Sequence, residues 1–202
     1  MPPAGDESQI ADQSKSENIP MTRKTLQHII GYLIGGSPFL IGIPCGLFRV
    51  SRSFDHLIDI QLIPISVLRL ALAVILLLLG LLFAFWSSVV QNMVGKGGPL
   101  QVANIEVSPK TQNLVVTGPY RYTRNPMLFG ACAIYYAVAI YLNSVIAIAM
   151  VTLFMTFMLI FVKLTEEPRL LKDFGSDYKE YRRRVSMFVP WIPKQPHSLK
   201  NR

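Results

Sequence analysis

The chain has 202 residues, a length that suits one domain, and only 16% of them are charged, against about 25% in soluble domains. Lys and Arg outnumber Asp and Glu by 20 to 12, but these cations flank apolar runs and do not alternate with aromatic residues, which argues against nucleic-acid binding. Cys45 and Cys132 lie within apolar runs without metal-ligand spacing or a secreted disulfide pattern, so we expect buried thiols and no metal site.

The amino-terminal part of the chain is polar and then becomes strongly apolar. Residues 1–24 are rich in Pro, Ser, Asp, Glu and Gln, and we expect a disordered tail before a single domain of residues 25–202. No basic segment leads directly into an apolar one here, so a signal peptide is not expected. The first apolar run, about 28–48, is just long enough to cross a membrane. Its glycines and prolines predict a kinked or partly broken span.

The second apolar run, from Pro64 to Val90, is the clearest membrane span. It follows a polar connector over residues 49–63, and Pro64 suits a helix start. Arg69 lies near that end, where its side chain can reach the membrane interface, and Trp86 fits the aromatic belt at the other end.

Residues 91–126 are punctuated by Gly and Pro, which excludes a long helix there. Two further apolar runs, about 127–142 and 145–164, are joined only by Asn143 and Ser144. Such a short connection predicts an antiparallel helical hairpin. The predicted fold is therefore all-α, with about four transmembrane helices that end in this tight hairpin.

The distribution of cations predicts the orientation of these spans. With four spans, 17 of the 20 Lys and Arg lie in segments that share one face, and 2 lie on the opposite face. The positive-inside rule then places both termini and the Gly/Pro-rich segment in the cytoplasm.

The predicted hairpin brings together two polar segments that are distant in sequence. We expect Arg124 to face Glu167, which lies 43 positions later in the sequence, at the cytoplasmic boundary. Glu166 and Glu167 adjoin a long apolar run, where ionisable groups usually have a partner or a task. Lys163 precedes them by one helical turn, so an intrahelical salt bridge without function is the alternative to a site.

The last part of the chain, from Thr165, is amphipathic and basic. Pro168 disfavours an α-helical Glu167, so we expect the helix to break there and a separate cytosolic helix to begin, or else a simple helix end. Phe174, Tyr178 and Tyr181 recur at helical spacing before three arginines. This pattern predicts a helix lying on the membrane surface with its aromatic face inward, and direct ligand contact by the tyrosines is the alternative.

Two motifs around the hairpin, GPYRYTRNPM…G (118–127 and 130) and EE…L…FG..Y..Y..RV….P.IP (166–193), resemble a known family. It comprises the membrane methyltransferases that include isoprenylcysteine carboxyl methyltransferase and the phospholipid N-methyltransferases. The resemblance covers roughly residues 93–193. It implies that this half of the chain builds a cytosol-facing pocket for S-adenosyl-L-methionine.

The resemblance also implies roles for particular residues. Arg124 and Lys163 are the candidate catalytic residues, and Lys163 stands where the carboxyl methyltransferases have a substrate-facing arginine. Glu167 would hold the cofactor from the far side of the hairpin. The other implied cofactor-binding residues are Gln112, Asn113, Leu114, Val115, Tyr120, Asn125, Pro126, Met127 and Leu128.

The chain departs from the family pattern at three positions. The usual His-Pro step is Asn125-Pro126, the usual Tyr is Leu128, and the usual Arg is Lys163. Asn125 lacks the titratable imidazole and Leu128 lacks the hydroxyl. Lys163 lacks the planar guanidinium that can bind a carboxylate through two parallel hydrogen bonds.

The sequence thus predicts methyl transfer to a lipophilic or lipid-anchored acceptor, most like isoprenylcysteine carboxyl O-methylation. Such a displacement needs positioning more than acid–base catalysis. A lipid amine or a small thiol is the alternative acceptor. Two other classes remain open, a nicotinamide-dependent reductase of the sterol-reductase type and a non-enzymatic membrane scaffold or small transporter. The expected location is the plasma membrane in a prokaryote or the endoplasmic reticulum in a eukaryote.

Overall fold

A computed structural model describes residues 41–57, 60–95 and 113–192, together with the backbone of 101–102 and 105–106. The predicted tail (1–24) and most of the first predicted span lie outside these residues. The helices are α1 (Ile43–Phe54), α2 (Ser66–Gly95), α3 (Pro126–Leu142), α4 (Val145–Phe161) and α5 (Glu167–Arg184). Short 3₁₀ turns cover Asp55–Leu57 and Gly118–Arg121, and a π-helical turn covers Val162–Glu166. Two short paired strands, β1 (Gln101–Val102) and β2 (Ile105–Glu106), were not predicted from the sequence, and irregular segments complete the described part.

Two helices in the described part are long and apolar enough to cross a membrane, namely α2 and the continuous helix Val145–Arg184 that contains α4 and α5. The most apolar stretch of each helix has a mean hydropathy of 2.8. Only 11% of this stretch is buried in α2, and 17% in Val145–Arg184. Their outward side chains, such as Leu78, Phe85 and Leu153, are exposed. Lipid is the solvent that suits such a surface, and the prediction of a membrane protein is confirmed.

Helix α1 extends further than the sequence indicated. We expected a polar connector from residue 49, but α1 continues to Phe54. No Gly or Pro interrupts residues 49–54, so the polar residues there do not end the helix. The buried side of α1 carries Leu47 and Ser51, and Leu47 packs against Tyr135 of α3 and Val151 of α4.

Helices α2 and α3 approach each other closely at two glycines. A Cβ atom added to Gly130 would lie 2.7 Å from the Ala84 backbone nitrogen, and one added to Gly80 would lie 2.7 Å from the Gly130 carbonyl oxygen. Phe83 and Phe129 pack edge to face beside this crossing, with ring centroids 4.9 Å apart. Small residues at a helix crossing allow the close backbone packing that holds helices together in lipid.

The two-residue connection between α3 and α4 is fixed by polar contacts. Asn143 adopts the left-handed conformation (φ +56°) that ends α3. Ser144 caps α4 by accepting from the Ala147 N–H at 2.9 Å, and its hydroxyl donates to Asp55 at 2.8 Å. The Asn143 side chain accepts from the Ile63 N–H at 2.9 Å. The turn is thus tied to the segment that joins α1 and α2.

The helix does not break at Pro168 as predicted, but a π-helical turn ends at Glu166 and α5 then begins with Pro168 in its first turn, as predicted for a new helix. Glu167 keeps α-helical angles (φ −62°, ψ −43°), and its N–H donates to the Val162 carbonyl five residues earlier. The widened π turn accommodates the ring of Pro168, which would otherwise clash with the preceding turn of an α-helix. The chain bends instead at Gly175, whose φ of +52° and ψ of −122° are not helical.

Candidate functional site

A buried ion pair joins the loop before α3 to the start of α5. The Arg124 guanidinium donates to the Glu167 carboxylate, and the two side chains are 10% and 9% exposed. The second carboxylate oxygen of Glu167 lies 3.5 Å from Arg182 Nη1. Arg124 also lies within 3.4 Å of the Tyr178 hydroxyl. The structure therefore brings Arg124 and Glu167 together, as the sequence indicated.

The loop that carries Arg124 is folded tightly over the end of α2. Gly118 has a φ of +60°, and a Cβ there would lie 2.8 Å from Val90 Cγ2 and 3.2 Å from Trp86 Nε1. The backbone N–H groups of Tyr122 and Thr123 both donate to the Pro119 carbonyl, at 3.1 and 3.2 Å. A glycine is thus required at position 118 for both the backbone angle and the close approach.

A segment after α5 runs beside this loop and holds it in place. We call residues 185–192 the C-terminal strap. The Arg124 N–H donates to the Ser186 carbonyl at 2.9 Å, and the Trp191 N–H donates to the Tyr122 carbonyl at 3.0 Å. The Asn125 side chain donates to the Met187 carbonyl at 2.8 Å. The second motif covers the strap, but sequence reasoning gave the strap no role, because these bonds are accepted by backbone carbonyls, which every residue possesses.

The aromatic face of α5 packs within the protein. Tyr178 and Tyr181 are buried together with Val185, against Leu114 and Leu170. The Tyr181 hydroxyl donates to the Tyr120 carbonyl at 2.6 Å. The expectation that these tyrosines face the membrane is therefore wrong. A buried phenol needs a hydrogen-bond partner. The loop provides one for Tyr181, and Arg124 of the ion pair provides one for Tyr178.

Tyr120 and Glu166 are electrostatic neighbours beside the ion pair. Burial raises the pKa of the Tyr120 phenol, and the charge of Glu166 acts in the same direction. Burial also raises the pKa of Glu166, and the charge of Arg169 opposes that shift. Within the described residues, the Glu166 carboxylate forms no ion pair of the kind that holds Glu167. Both oxygens of Glu167 already face arginines, whereas the cation that acts on Glu166 is Arg169.

The remaining predicted cofactor residues that the structure describes differ in burial. Pro126 is buried as the first residue of α3, and Met127 and Leu128 follow it half-buried in the first turn. Val115 is buried, whereas Asn113 is exposed and donates to the Val94 carbonyl at 3.2 Å. Gln112 lies outside the described residues.

Lys163, the second candidate catalytic residue, is not part of the ion cluster. Its side chain is exposed in the π-helical turn, and it pairs with neither Glu166 nor Glu167 in the part of the chain that the structure describes. The structure thus gives no support for the simple intrahelical salt bridge, since Arg124 and Arg182 occupy Glu167 instead.

The arrangement suits a ligand that carries both charge signs. Arg124 Nε is buried and has no hydrogen-bond acceptor among the described residues, so it can donate to a ligand carboxylate. The Glu166 carboxylate, on which Arg169 also acts, can accept from a ligand ammonium group. Tyr120 lies on the loop, and its carbonyl accepts from the Tyr181 hydroxyl of α5.

Comparisons of the sequence with known proteins identify a relative and a family. Over 115 residues the chain is 30% identical to methanethiol S-methyltransferase 1 of Bradyrhizobium diazoefficiens, and the aligned part is 55% of this chain but 39% of that relative. No solved structure matches the chain. Residues 68–177, more than half of the chain, match the family described as phospholipid methyltransferase. This match includes α2, α3, α4 and the Arg124–Glu167 pair, so the chain belongs to the phospholipid methyltransferase family.

Proposed function

We propose that this protein transfers a methyl group from S-adenosyl-L-methionine to a lipophilic acceptor at the cytoplasmic surface of a membrane. The observation that carries the proposal is the buried Arg124–Glu167 pair with a second, half-buried carboxylate, Glu166, beside it. This charged cluster lies where lipid-exposed apolar helices end. The family match supports methyl transfer as the reaction class.

The residues of the cluster fit the methyl donor. S-adenosylmethionine has an amino-acid end with one ammonium and one carboxylate group, and a sulfonium that adds a second positive charge. Arg124 would hold the carboxylate through its buried Nε–H, and Glu166 would face a positive group. Glu167 would act by fixing Arg124, because Arg124 and Arg182 already occupy its carboxylate.

When bound, this donor supplies an electrophilic methyl group that an acceptor nucleophile takes by in-line displacement. The protein's own part is to orient both partners and to exclude water. The C-terminal strap and the tyrosines of α5 serve this purpose, because they fix the loop that carries Tyr120 and Arg124. No proton donor or nucleophile of the protein is needed for such a step.

A carboxylate is the acceptor group that we propose first, as in isoprenylcysteine carboxyl O-methylation. Exposed cations surround the site, including Lys163 and Arg182, and they suit an anionic acceptor. A small thiol is the second candidate, because the relative with 30% identity is named a methanethiol S-methyltransferase. A thiol reacts as its thiolate, so the same cations would favour it.

The proposal is tested by the binding of labelled S-adenosylmethionine to protein purified in detergent. We expect saturable binding by the wild type and a roughly tenfold or larger loss of affinity in Glu166→Gln, since a hydrogen bond to a charged group is worth about 1.5–3 kcal/mol. Glu180→Gln is the matched control, because Glu180 is exposed on α5 and pairs with the exposed Arg184. A folded wild-type protein that binds a nicotinamide cofactor instead, or neither cofactor, would overturn the proposal.

The acceptor is identified in a second step. The wild-type protein is incubated with labelled S-adenosylmethionine and total membrane extract, and the labelled product is characterised. A base-labile methyl ester indicates a carboxylate acceptor, a thioether indicates a thiol, and a methylated headgroup indicates a lipid amine.

A further inference from the structure

An apolar cleft of about 450 Å³ lies between the end of α2 and the C-terminal strap. This volume falls in the range of about 300–1,000 Å³ that is typical of small-ligand sites. Its lining is almost entirely aromatic or aliphatic and consists of Phe83, Trp86, Tyr122, Pro190, Trp191 and Ile192.

Specific contacts build the walls of this cleft. Trp86 packs beneath the loop at Gly118, where a Cβ atom would lie 3.2 Å from the indole Nε1. Trp191 is tied to the opposite wall, because its N–H donates to the Tyr122 carbonyl at 3.0 Å. Phe83 packs on Phe129 of α3 at 4.9 Å between ring centroids. Three separate parts of the chain thus converge on one cavity.

The cleft adjoins the charged cluster along the loop. Tyr122 lines the cleft and Arg124 follows two positions later, so their Cα atoms are at most about 7 Å apart. The strap spans both places, since Ser186 accepts from the Arg124 N–H and Trp191 donates to the Tyr122 carbonyl. A ligand whose apolar body fills the cleft would therefore have its polar end close to Arg124.

The cleft is also accessible from lipid. Next to Phe83 and Trp86 on α2, the side chains of Leu82 and Phe85 are 57% and 73% exposed. Trp191 and Ile192 of the strap are 72% and 79% exposed. An apolar molecule can thus pass from the membrane onto these side chains without crossing water, and its binding would cover apolar surface that is otherwise left exposed.

We infer that this cleft binds the apolar part of the methyl acceptor, a single aliphatic or isoprenoid chain, and that Trp86 and Trp191 are its principal contacts. The inference rests on the proposed function. It names a single chain because the volume lies near the lower end of the small-ligand range. The polar end of such an acceptor would be presented to Arg124 and to the methyl donor beside it.

The cleft can be tested directly, because Trp86 and Trp191 are the two tryptophans of the whole chain. A brominated single-chain alcohol quenches tryptophan fluorescence on contact. With the protein in nanodiscs of unbrominated phosphatidylcholine, we expect saturable quenching. We expect Trp191→Ala to weaken the apparent affinity on the order of tenfold, and Trp191→Phe, which keeps an aromatic wall, to retain most of it and to report on Trp86 alone.

Two further variants keep this test decisive. Ile192→Ala changes a side chain that is 79% exposed, and it should also weaken the affinity several-fold. Phe157→Ala removes a ring of similar exposure from α4, away from the cleft lining, and should leave quenching unchanged. Quenching that rises linearly with probe, or that a brominated phosphatidylcholine produces equally well, would overturn the inference in favour of general lipid contact.

The binding of labelled S-adenosylmethionine in the same nanodiscs separates the two proposals. Cofactor binding without saturable quenching would overturn the cleft and leave methyl transfer standing. Saturable quenching without cofactor binding would overturn methyl transfer, and with it the identity of the ligand as a methyl acceptor. If both hold, Trp191→Ala should raise the acceptor KM while cofactor affinity stays as in the wild type.

Discussion

Arg124 and Glu167 form a buried ion pair across 43 positions of sequence, and this pair joins the loop before α3 to the helix that follows α4. Removing one partner of such a pair leaves an uncompensated buried charge, whereas removing both does not. The pair therefore fixes the position of the loop relative to α5.

A double-mutant cycle measures this coupling. We expect Glu167→Gln to lower the free energy of unfolding by about 3–5 kcal/mol, and Arg124→Gln to lower it by less, because Arg182 still faces Glu167. The double variant should lose less than the sum of the two, because neither charge is then left alone. Chemical unfolding in detergent provides the measurement. The exposed pair Glu180–Arg184, 2.9 Å apart, is the control and should contribute below about 1 kcal/mol. Additive losses at Arg124 and Glu167 would contradict the prediction.

The crossing of α2 and α3 should not tolerate a side chain at Gly130. A Cβ atom there would lie 2.7 Å from the Ala84 backbone nitrogen, so Gly130→Ala forces the two helices apart. We expect a loss of about 1–3 kcal/mol in the free energy of unfolding. Gly46→Ala is the matched control, because nothing lies within 4 Å of its Cβ position in α1, and a helical alanine there should be neutral or stabilising. Equal effects of the two substitutions would show that close packing at Gly130 is unimportant.

The main span and the meeting of Arg124 with Glu167 could be predicted from the sequence. Hydropathy defined the span over residues 64–90, and the observed α2 covers Ser66–Gly95. The connection of Asn143 and Ser144 between two apolar runs was enough to place Arg124 near Glu167. Both predictions depend on the length and polarity of segments, and the membrane restricts these strongly.

Other features of the site depend on backbone geometry and could not be predicted. The π turn at Val162–Glu166 lets Pro168 remain in a continuous helix, and no residue type marks such a turn. The strap binds the loop through the carbonyls of Ser186 and Met187, which every residue possesses. The burial of Tyr178 follows from that packing. It could not be predicted, because the same helical spacing of aromatic residues suits a membrane-facing side and a core-facing side equally well.

Ser144 should be important for stability although it lies far along the chain from the site. It is fully buried, caps α4 through Ala147 and donates to Asp55. We expect Ser144→Ala to lower the free energy of unfolding by about 1–2 kcal/mol through loss of the cap. Ser53→Ala removes only an exposed hydroxyl that donates to the Arg49 carbonyl and should change stability by less than about 0.5 kcal/mol. A loss as small for Ser144 as for Ser53 would refute its role.

The orientation in the membrane can be checked with reporter fusions. Because 17 of the 20 Lys and Arg fall in segments that we place on one side, we expect both termini in the cytoplasm. Fusions at Lys15 and Lys200 should therefore both give cytoplasmic signals. Opposite signals would mean an odd number of spans, and the Gly/Pro-rich run at 28–48 would then be the one miscounted.

Lys163 separates the binding of the acceptor from the binding of the cofactor. Its side chain is exposed in the π turn and, within the described residues, makes no ion pair with Glu167. Loss of this cation should therefore leave cofactor affinity unchanged. Arg124 and Arg182, which hold Glu167, are not altered by the substitution.

If the acceptor is an anion, Lys163→Met should lower the methylation rate at normal cofactor affinity, because the cation that attracts the acceptor is lost. Lys163→Arg should restore part of the rate, since it keeps the charge. Lys179→Met removes another exposed cation from α5 and should leave both quantities unchanged. A lipid amine as acceptor predicts the opposite sign, because removing a like charge favours its approach. Weaker cofactor binding in Lys163→Met would instead show that the lysine acts on the donor, and a normal rate with normal affinity would exclude it from the site.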